Sequence, residues 1–128
     1  MSATATILLA HGSSDSNWLA PFEALTERIR SGMQQQPDSQ GPIHLAYMEL
    51  AEPSLEQTVA ELAQSGVRHI DVLPLFFAAG RHLRKDVPNQ IAALEQQLPV
   101  SIQLHPPVGL EPEVSEAINQ VVIRLMQS

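Results

Sequence analysis

A chain of 128 residues, 44% hydrophobic and 16% charged, has the length and balance of one globular domain with its own core, expected over residues 1–128. It contains no cysteine, which excludes disulfides, thiolate zinc sites, iron–sulfur ligation and a cysteine nucleophile. A net charge of −7 argues against a broad basic face for nucleic acid, and no apolar run approaches the roughly 20 residues of a membrane span.

Taken from the start, Met1–Thr6 carries no basic residue before the short ILLA run, so no signal peptide is expected and the location is read as cytoplasmic. Thr4–Ala10 is the first strand-like run, followed by a helical stripe of Phe22, Leu25 and Ile29. The polar segment Gln34–Pro42 reads as a surface loop, and Ile43–Met48 as the second strand. Leu55, Val59, Leu62 and Ala63 mark a second helix, with Pro53 in its first turn, Glu56 near its positive end and Gly66 as its stop. His69–Leu75 is the third strand, and Val87, Ile91, Leu94 and Leu98 stripe a third helix. Val100–Leu104 is the fourth strand, after which Pro112, Glu111 and Glu113 open a fourth helix striped by Val114, Ile118, Val121, Val122 and Leu125. This alternation predicts an α/β fold: a four-stranded parallel sheet flanked by helices on both faces, flavodoxin-like. Strand order 2-1-3-4 places the switch point between strands 1 and 3, where open sheets bind their ligands.

The five histidines separate by their place on these strands. His44 and His69 open strands and fall at the amino rim, so they read as structural or solvated. His11 ends strand 1, and His82 lies in the loop after strand 3; both belong to the carboxyl rim beside the switch point. His105 ends strand 4, nearer the sheet edge, and reads as a strand end rather than a substrate contact. Glu49, just after strand 2, is either a surface carboxylate near a helix start or a third ligand. His11, His82 and Glu49 together are the pattern of two imidazoles and a carboxylate that holds a divalent cation with open positions. Arg81, Arg84 and Lys85 cluster around His82, an uneven placement in so acidic a chain.

At these residues the chain resembles a known family. HGS at 11–13, YMELAEPSLEQ at 47–57, GVRHIDVLPLFFAAGRHLRKDVP at 66–88 and PPVG at 106–109 are similar, in order and spacing, to the small sirohydrochlorin chelatases of the CbiX type. The resemblance implies a chelatase-like single domain that inserts Co²⁺ into sirohydrochlorin on the way to cobalamin, relatives inserting Fe²⁺ for sirohaem or Ni²⁺. The metal is then substrate, no organic cofactor is needed, and the chain works as a homodimer. The resemblance places the metal-site histidines, which are also the catalytic residues, on His11 and His82, and the family's glutamate on Glu49. RHLRKD departs locally from relatives that carry a Gly before this His and an acidic residue near it.

Insertion exchanges a hydrated cation for two pyrrole protons, so the protein must hold the metal incompletely and offer a base. Neutral imidazole suits both tasks near neutral pH. A polycarboxylated macrocycle needs local positive potential, expected from Arg81, Arg84 and Lys85 and from main-chain N–H groups near Ser13 and Ser14. Leu75–Ala79, including Phe76 and Phe77, would form an apolar wall against the ring, and at least one of these two phenylalanines is expected to be simply core. Other classes fit poorly. A histidine phosphatase needs Arg where Ala10 stands, the G-x-S-x-G elbow of serine hydrolases is absent, and no Gly-rich phosphate loop follows strand 1. The alternative from another class is a metal-binding carrier or regulatory protein of the same fold without turnover.

Overall fold

Runs rich in Ile, Val and Leu, each too short for a helix, become strands here because neighbouring strands satisfy their main chain and helices cover their sides. The computed structural model describes residues 3–33 and 41–127, and of Met33 and His82 the main chain alone. Its elements are β1 (Ala3–Ala10), α1 (Ser16–Met33), β2 (Ile43–Tyr47), α2 (Leu55–Gln64), β3 (Val67–Pro74), α3 (Val87–Gln97), β4 (Ser101–Leu104) and α4 (Pro112–Met126). A π-helical turn, His82–Asp86, runs into α3, and a 3-10 turn, Val108–Leu110, precedes α4. The strands form one parallel sheet in the order β2-β1-β3-β4, so the switch point does lie between β1 and β3.

One face of the sheet holds the core. Ile7 and Leu9 of β1, Ile70 and Val72 of β3 and Ile102 of β4 pack against Val59 and Leu62 of α2 and Val87, Ile91 and Leu94 of α3. The carboxylate of Glu95 ties α3 to the edge by accepting from the Ile102 N–H at 2.9 Å. Opposite crossovers put α1 on the other face. There Arg30 fastens the end of α1 to β2 by donating from Nε and Nη2 to the Ile43 carbonyl, at 2.9 and 2.6 Å.

Helix ends account for the loop lengths. Asp15 caps α1, its carboxylate accepting from the Asn17 N–H at 2.9 Å. Ser54 and Gln57 form a reciprocal capping box at the start of α2: the Gln57 N–H donates to Ser54 Oγ and the Ser54 N–H to Gln57 Oε1. Pro53 therefore stands outside the first turn expected for it, ahead of the cap, where its carbonyl accepts from the Tyr47 N–H at 2.9 Å. Gly66 follows α2 with a φ of 94°, as a helix stop should.

Among the described residues, two expected apolar stripes are only partly covered, with Phe22 and Ile29 of α1 and Val114 of α4 half-buried. Leu25 of α1 is 40% exposed, and α4 has no buried residue at all, with Ile118, Val121, Val122 and Leu125 between 43% and 62% exposed. Among the described residues the sheet is correspondingly open beyond α1: His69, Ser101 and Gln103 are exposed on β3 and β4, beside half-buried Asp71 and His105. The loop expected over residues 34–42 lies outside the described residues from 34 to 40.

Candidate functional site

The strand register levels the carboxyl rim. Ala10 pairs with Tyr47 and Leu9 with Pro74, so the chain leaves β1, β2 and β3 at one height. Pairing continues a little beyond the strands: the Met48 N–H donates to the Ala10 carbonyl, the Glu49 N–H to the His11 carbonyl and the Leu75 N–H to the Leu9 carbonyl, at 2.9 to 3.1 Å. His11, Glu49 and the Phe76–Arg81 segment are thereby held as neighbours by main-chain bonds rather than by their side chains.

Gly12 makes the first of these approaches possible. It has a φ of 98°, and a Cβ placed on it would stand 1.7 Å from the Glu49 carbonyl oxygen. Any larger residue would push the Glu49 loop off the end of β1. Gly109 does the same on the other side: its N–H donates to the Phe76 carbonyl at 2.8 Å, and a Cβ there would lie 2.4 Å from Phe77 Cα. The HGS and PPVG blocks thus carry glycines whose work is close packing at the rim.

Between these loops lies a cleft of about 320 Å³ lined by His11, Met48, Phe76, Phe77, Ala78, Gly80, Arg81 and Leu83. The His11 imidazole is exposed and stacks at a tilt on Phe76, the ring centres 4.9 Å apart and the planes at 38°. Phe76 is half-buried against the core while Phe77 is 69% exposed, so the two phenylalanines divide into one packed residue and one free to meet a ligand. Arg81 brings a cation to the mouth of an otherwise apolar cleft.

The remaining expected residues distribute around this cleft. Glu49 is exposed and lines an adjoining depression with Met48, Asp86, Val87 and Gln90, so Met48 stands between the Glu49 and His11 sides. His82 starts the π-helical turn that follows Arg81; its side chain lies outside the described residues. Arg84 and Lys85 are exposed on that turn and do not line the cleft. Ser13 and Ser14 sit in the turn into α1, where Ser13 Oγ accepts from the Asp15 N–H at 3.0 Å. Among the described side chains, which leave out His82, no three of His, Asp and Glu converge to hold a metal ion.

His105 is engaged elsewhere. Its Nε2 lies 2.8 Å from Asp71 Oδ1 on the open side of the sheet. At the amino end His44 is half-buried, and burial, helped by the Arg30 guanidinium and opposed by Glu61, lowers its pKa. Sequence reasoning missed Met48, Gly80 and Leu83 as cleft residues and the His11–Phe76 stack. No periodicity marks these; only the strand register, which brings residue 11 level with residue 76, reveals them.

An open parallel sheet with an exposed histidine over an apolar cleft at its switch point defines a small α/β protein with a ligand site at the carboxyl rim. The CbiX family model matches residues 5–125, and the chain belongs to the CbiX family. It is 33% identical to a sirohydrochlorin cobaltochelatase of Sulfurisphaera tokodaii over 86 residues, covering 67% of this chain and 69% of that protein. It is 31% identical to the sirohydrochlorin ferrochelatase of Bacillus subtilis over 75 residues, 58% of this chain and 29% of that one. Among solved structures, a CbiX protein of Marinobacter aquaeolei VT8 superposes with a TM-score of 0.81 at 44% identity, covering 97% of this chain and 98% of the other. The chelatase SirB of Bacillus subtilis subspecies spizizenii, in complex with cobalt, superposes at 0.78 and 25% identity, with 92% of this chain spanning 49% of SirB.

Proposed function

We propose that this protein is a sirohydrochlorin chelatase, inserting a divalent metal, Co²⁺ by preference and Fe²⁺ next, into the macrocycle for cobalamin or sirohaem. The observation that carries this is the cleft: an exposed imidazole, His11, beside an apolar wall and a cation, in a chain of the CbiX family. The apolar wall suits the face of a tetrapyrrole and Arg81 suits its carboxylates.

In this reading the metal ion is a substrate. His11 and His82 bind it and Glu49 adds an oxygen ligand, leaving positions open for water and then for pyrrole nitrogens, since a fully caged ion could not be transferred. Phe77, with Phe76 behind it, supports the ring. Arg81 pairs with its carboxylates, and Arg84, Lys85, Ser13 and Ser14 add to their binding. Two protons leave the pyrrole nitrogens as the metal enters; each imidazole that gives up the metal to the ring regains its lone pair and can accept one of them, and such base assistance is commonly worth about 10²–10⁴ in rate. In this reading the protein works in the cytoplasm and pairs with a second copy of itself.

The test follows the visible spectrum of sirohydrochlorin with Co²⁺, Fe²⁺ and Ni²⁺ side by side. Insertion by the wild type, its loss in His11→Ala and in His82→Ala, and a raised KM for sirohydrochlorin in Arg81→Ala are the expected results. Undiminished rates in both histidine variants would reject the assignment. Metal binding without any spectral change would favour a carrier of the same fold.

A further inference from the structure

One face of α1 meets the outer strand of the sheet. Glu23, Thr26, Glu27 and Arg30 fall at i, i+3, i+4 and i+7 and so share a stripe of that helix. β2 is an edge strand, and Leu45 and Tyr47, two residues apart, fall on one side of it. Together with His44 and the loop residues Glu52 and Pro53 they line a groove of about 300 Å³. It shares no lining residue with the cleft that holds His11.

The free polar groups of this groove are mostly acceptors. Arg30 is engaged, Nε and Nη2 donating to the Ile43 carbonyl and Nη1 to the Glu27 carboxylate. Thr26 gives its hydroxyl proton to the Phe22 carbonyl at 2.8 Å, which leaves its oxygen only lone pairs. Glu23 and Glu52 are exposed and have no partner among the described residues. Tyr47 adds an independent sign. It is only 3% exposed, yet its hydroxyl meets no hydrogen-bond partner among the described residues, a condition that buried polar groups rarely tolerate. Burial and the nearby Glu23 raise its pKa, so it stays a neutral phenol with a lone pair to offer on the Glu23 side of the groove.

These groups select the chemistry of a ligand. An anion would face two unpaired carboxylates and find the guanidinium already committed. A metal ion needs converging ligands, and among the described residues no three of His, Asp and Glu converge; a neutral phenol is also a poor ligand for it. An organic cation meets neither obstacle. Three carboxylates against one guanidinium leave two negative charges, carried on α1 and on the loop before α2, while Leu45 and Pro53 supply apolar wall. We infer that this groove binds a short aliphatic diammonium ion, one head on Glu23 and the Tyr47 hydroxyl, the other on Glu52, with its methylenes along Leu45 and Pro53. The site goes beyond the insertion reaction and does not depend on it, so a negative insertion assay leaves it standing.

Calorimetric titration of the full chain with 1,4-diaminobutane, with neither tetrapyrrole nor transition metal present, tests this. It should show one saturable site per chain, which Mg²⁺ at equal ionic strength does not displace and butane-1,4-diol does not occupy. Glu23→Gln and Glu52→Gln should each weaken binding about tenfold or more, since each removes a charge-assisted hydrogen bond. Tyr47→Phe should weaken it about three- to tenfold while Tm holds or rises, a split that a purely structural tyrosine would not give. Absence of saturable binding overturns the inference. So does displacement by Mg²⁺, which would make the groove a metal site. An affinity that any one of the three variants leaves unchanged also overturns it, because the ion would then sit elsewhere on the acidic surface.

Discussion

Tyr47 shows how one atom can work against its surroundings. Its side chain is buried on β2 and its hydroxyl has no hydrogen-bond partner among the described residues, while burial and the nearby Glu23 raise its pKa and keep it neutral. An unsatisfied buried hydroxyl costs about 1–3 kcal/mol, so Tyr47→Phe should leave stability unchanged or raise it, with urea midpoints as the measure. A loss of more than about 1 kcal/mol would mean that the hydroxyl has a partner. His44, beside it along the groove, gives a pH dependence of known sign. Burial, then Arg30, depress its folded pKa, so below the ordinary value near ~6.5 the unfolded chain takes up a proton that the folded chain refuses. Its contribution is complete above about 6.5 and is lost as pH falls through the lower folded value. His44→Gln should therefore flatten the decline of Tm between pH 7.5 and 5.5, and an unchanged slope would contradict this. Neither effect can be read from the sequence, where His44 is a strand-opening polar residue and Tyr47 an ordinary β former.

At the scale of elements, the pattern of apolar residues predicted all four strands and all four helices, because buried strands and amphipathic helices must repeat with their own periods. It could not say whether a stripe is covered by its own chain. Ile118, Val121, Val122 and Leu125 on α4 and Leu25 on α1 have the right spacing and are nevertheless exposed. Ends were harder, as with Pro53, which suits a first turn by type but is displaced by the Ser54 cap. That cap also bears on the rim, since the segment from Tyr47 to Ser54 carries Glu49 and is pinned at both ends, by the Tyr47–Pro53 bond and by the capping box. Ser54→Ala should cost about 1 kcal/mol of stability, or about 3–4 °C in Tm. It should loosen the Glu49 loop as well, which faster proteolysis there would report. A Tm within 1 °C of wild type, by calorimetry, would show that the box contributes little.

For the whole molecule, charge and topology meet at one place. The strand order followed from the alternation of elements, and with it the rim that holds His11, Glu49 and Arg81; the partition of those residues between two adjoining depressions did not follow, because it depends on where Met48 sits. The field at the rim is equally a matter of arrangement. Asp and Glu outnumber Lys and Arg by 14 to 7, so a polyanion approaching at random is repelled. Arg81 at the cleft, with Arg84 and Lys85 exposed on the next turn, concentrates three of the seven cations within five residues. Exposed charges act over roughly 10 Å at 0.1 M salt and over far less at 1 M, so their attraction for a polycarboxylate should fade as salt is added. For the proposed insertion, kcat/KM for sirohydrochlorin should fall as NaCl rises from 0.05 to 0.5 M while kcat changes little, because salt screens the approach and leaves metal transfer within the cleft alone. Arg84→Ser/Lys85→Ser should flatten that dependence and lower kcat/KM at low salt by about tenfold or less, as expected of charges that steer rather than react. A kcat/KM that rises with salt would mean that the overall negative charge outweighs the rim, and the three cations would then have no part in gathering the substrate.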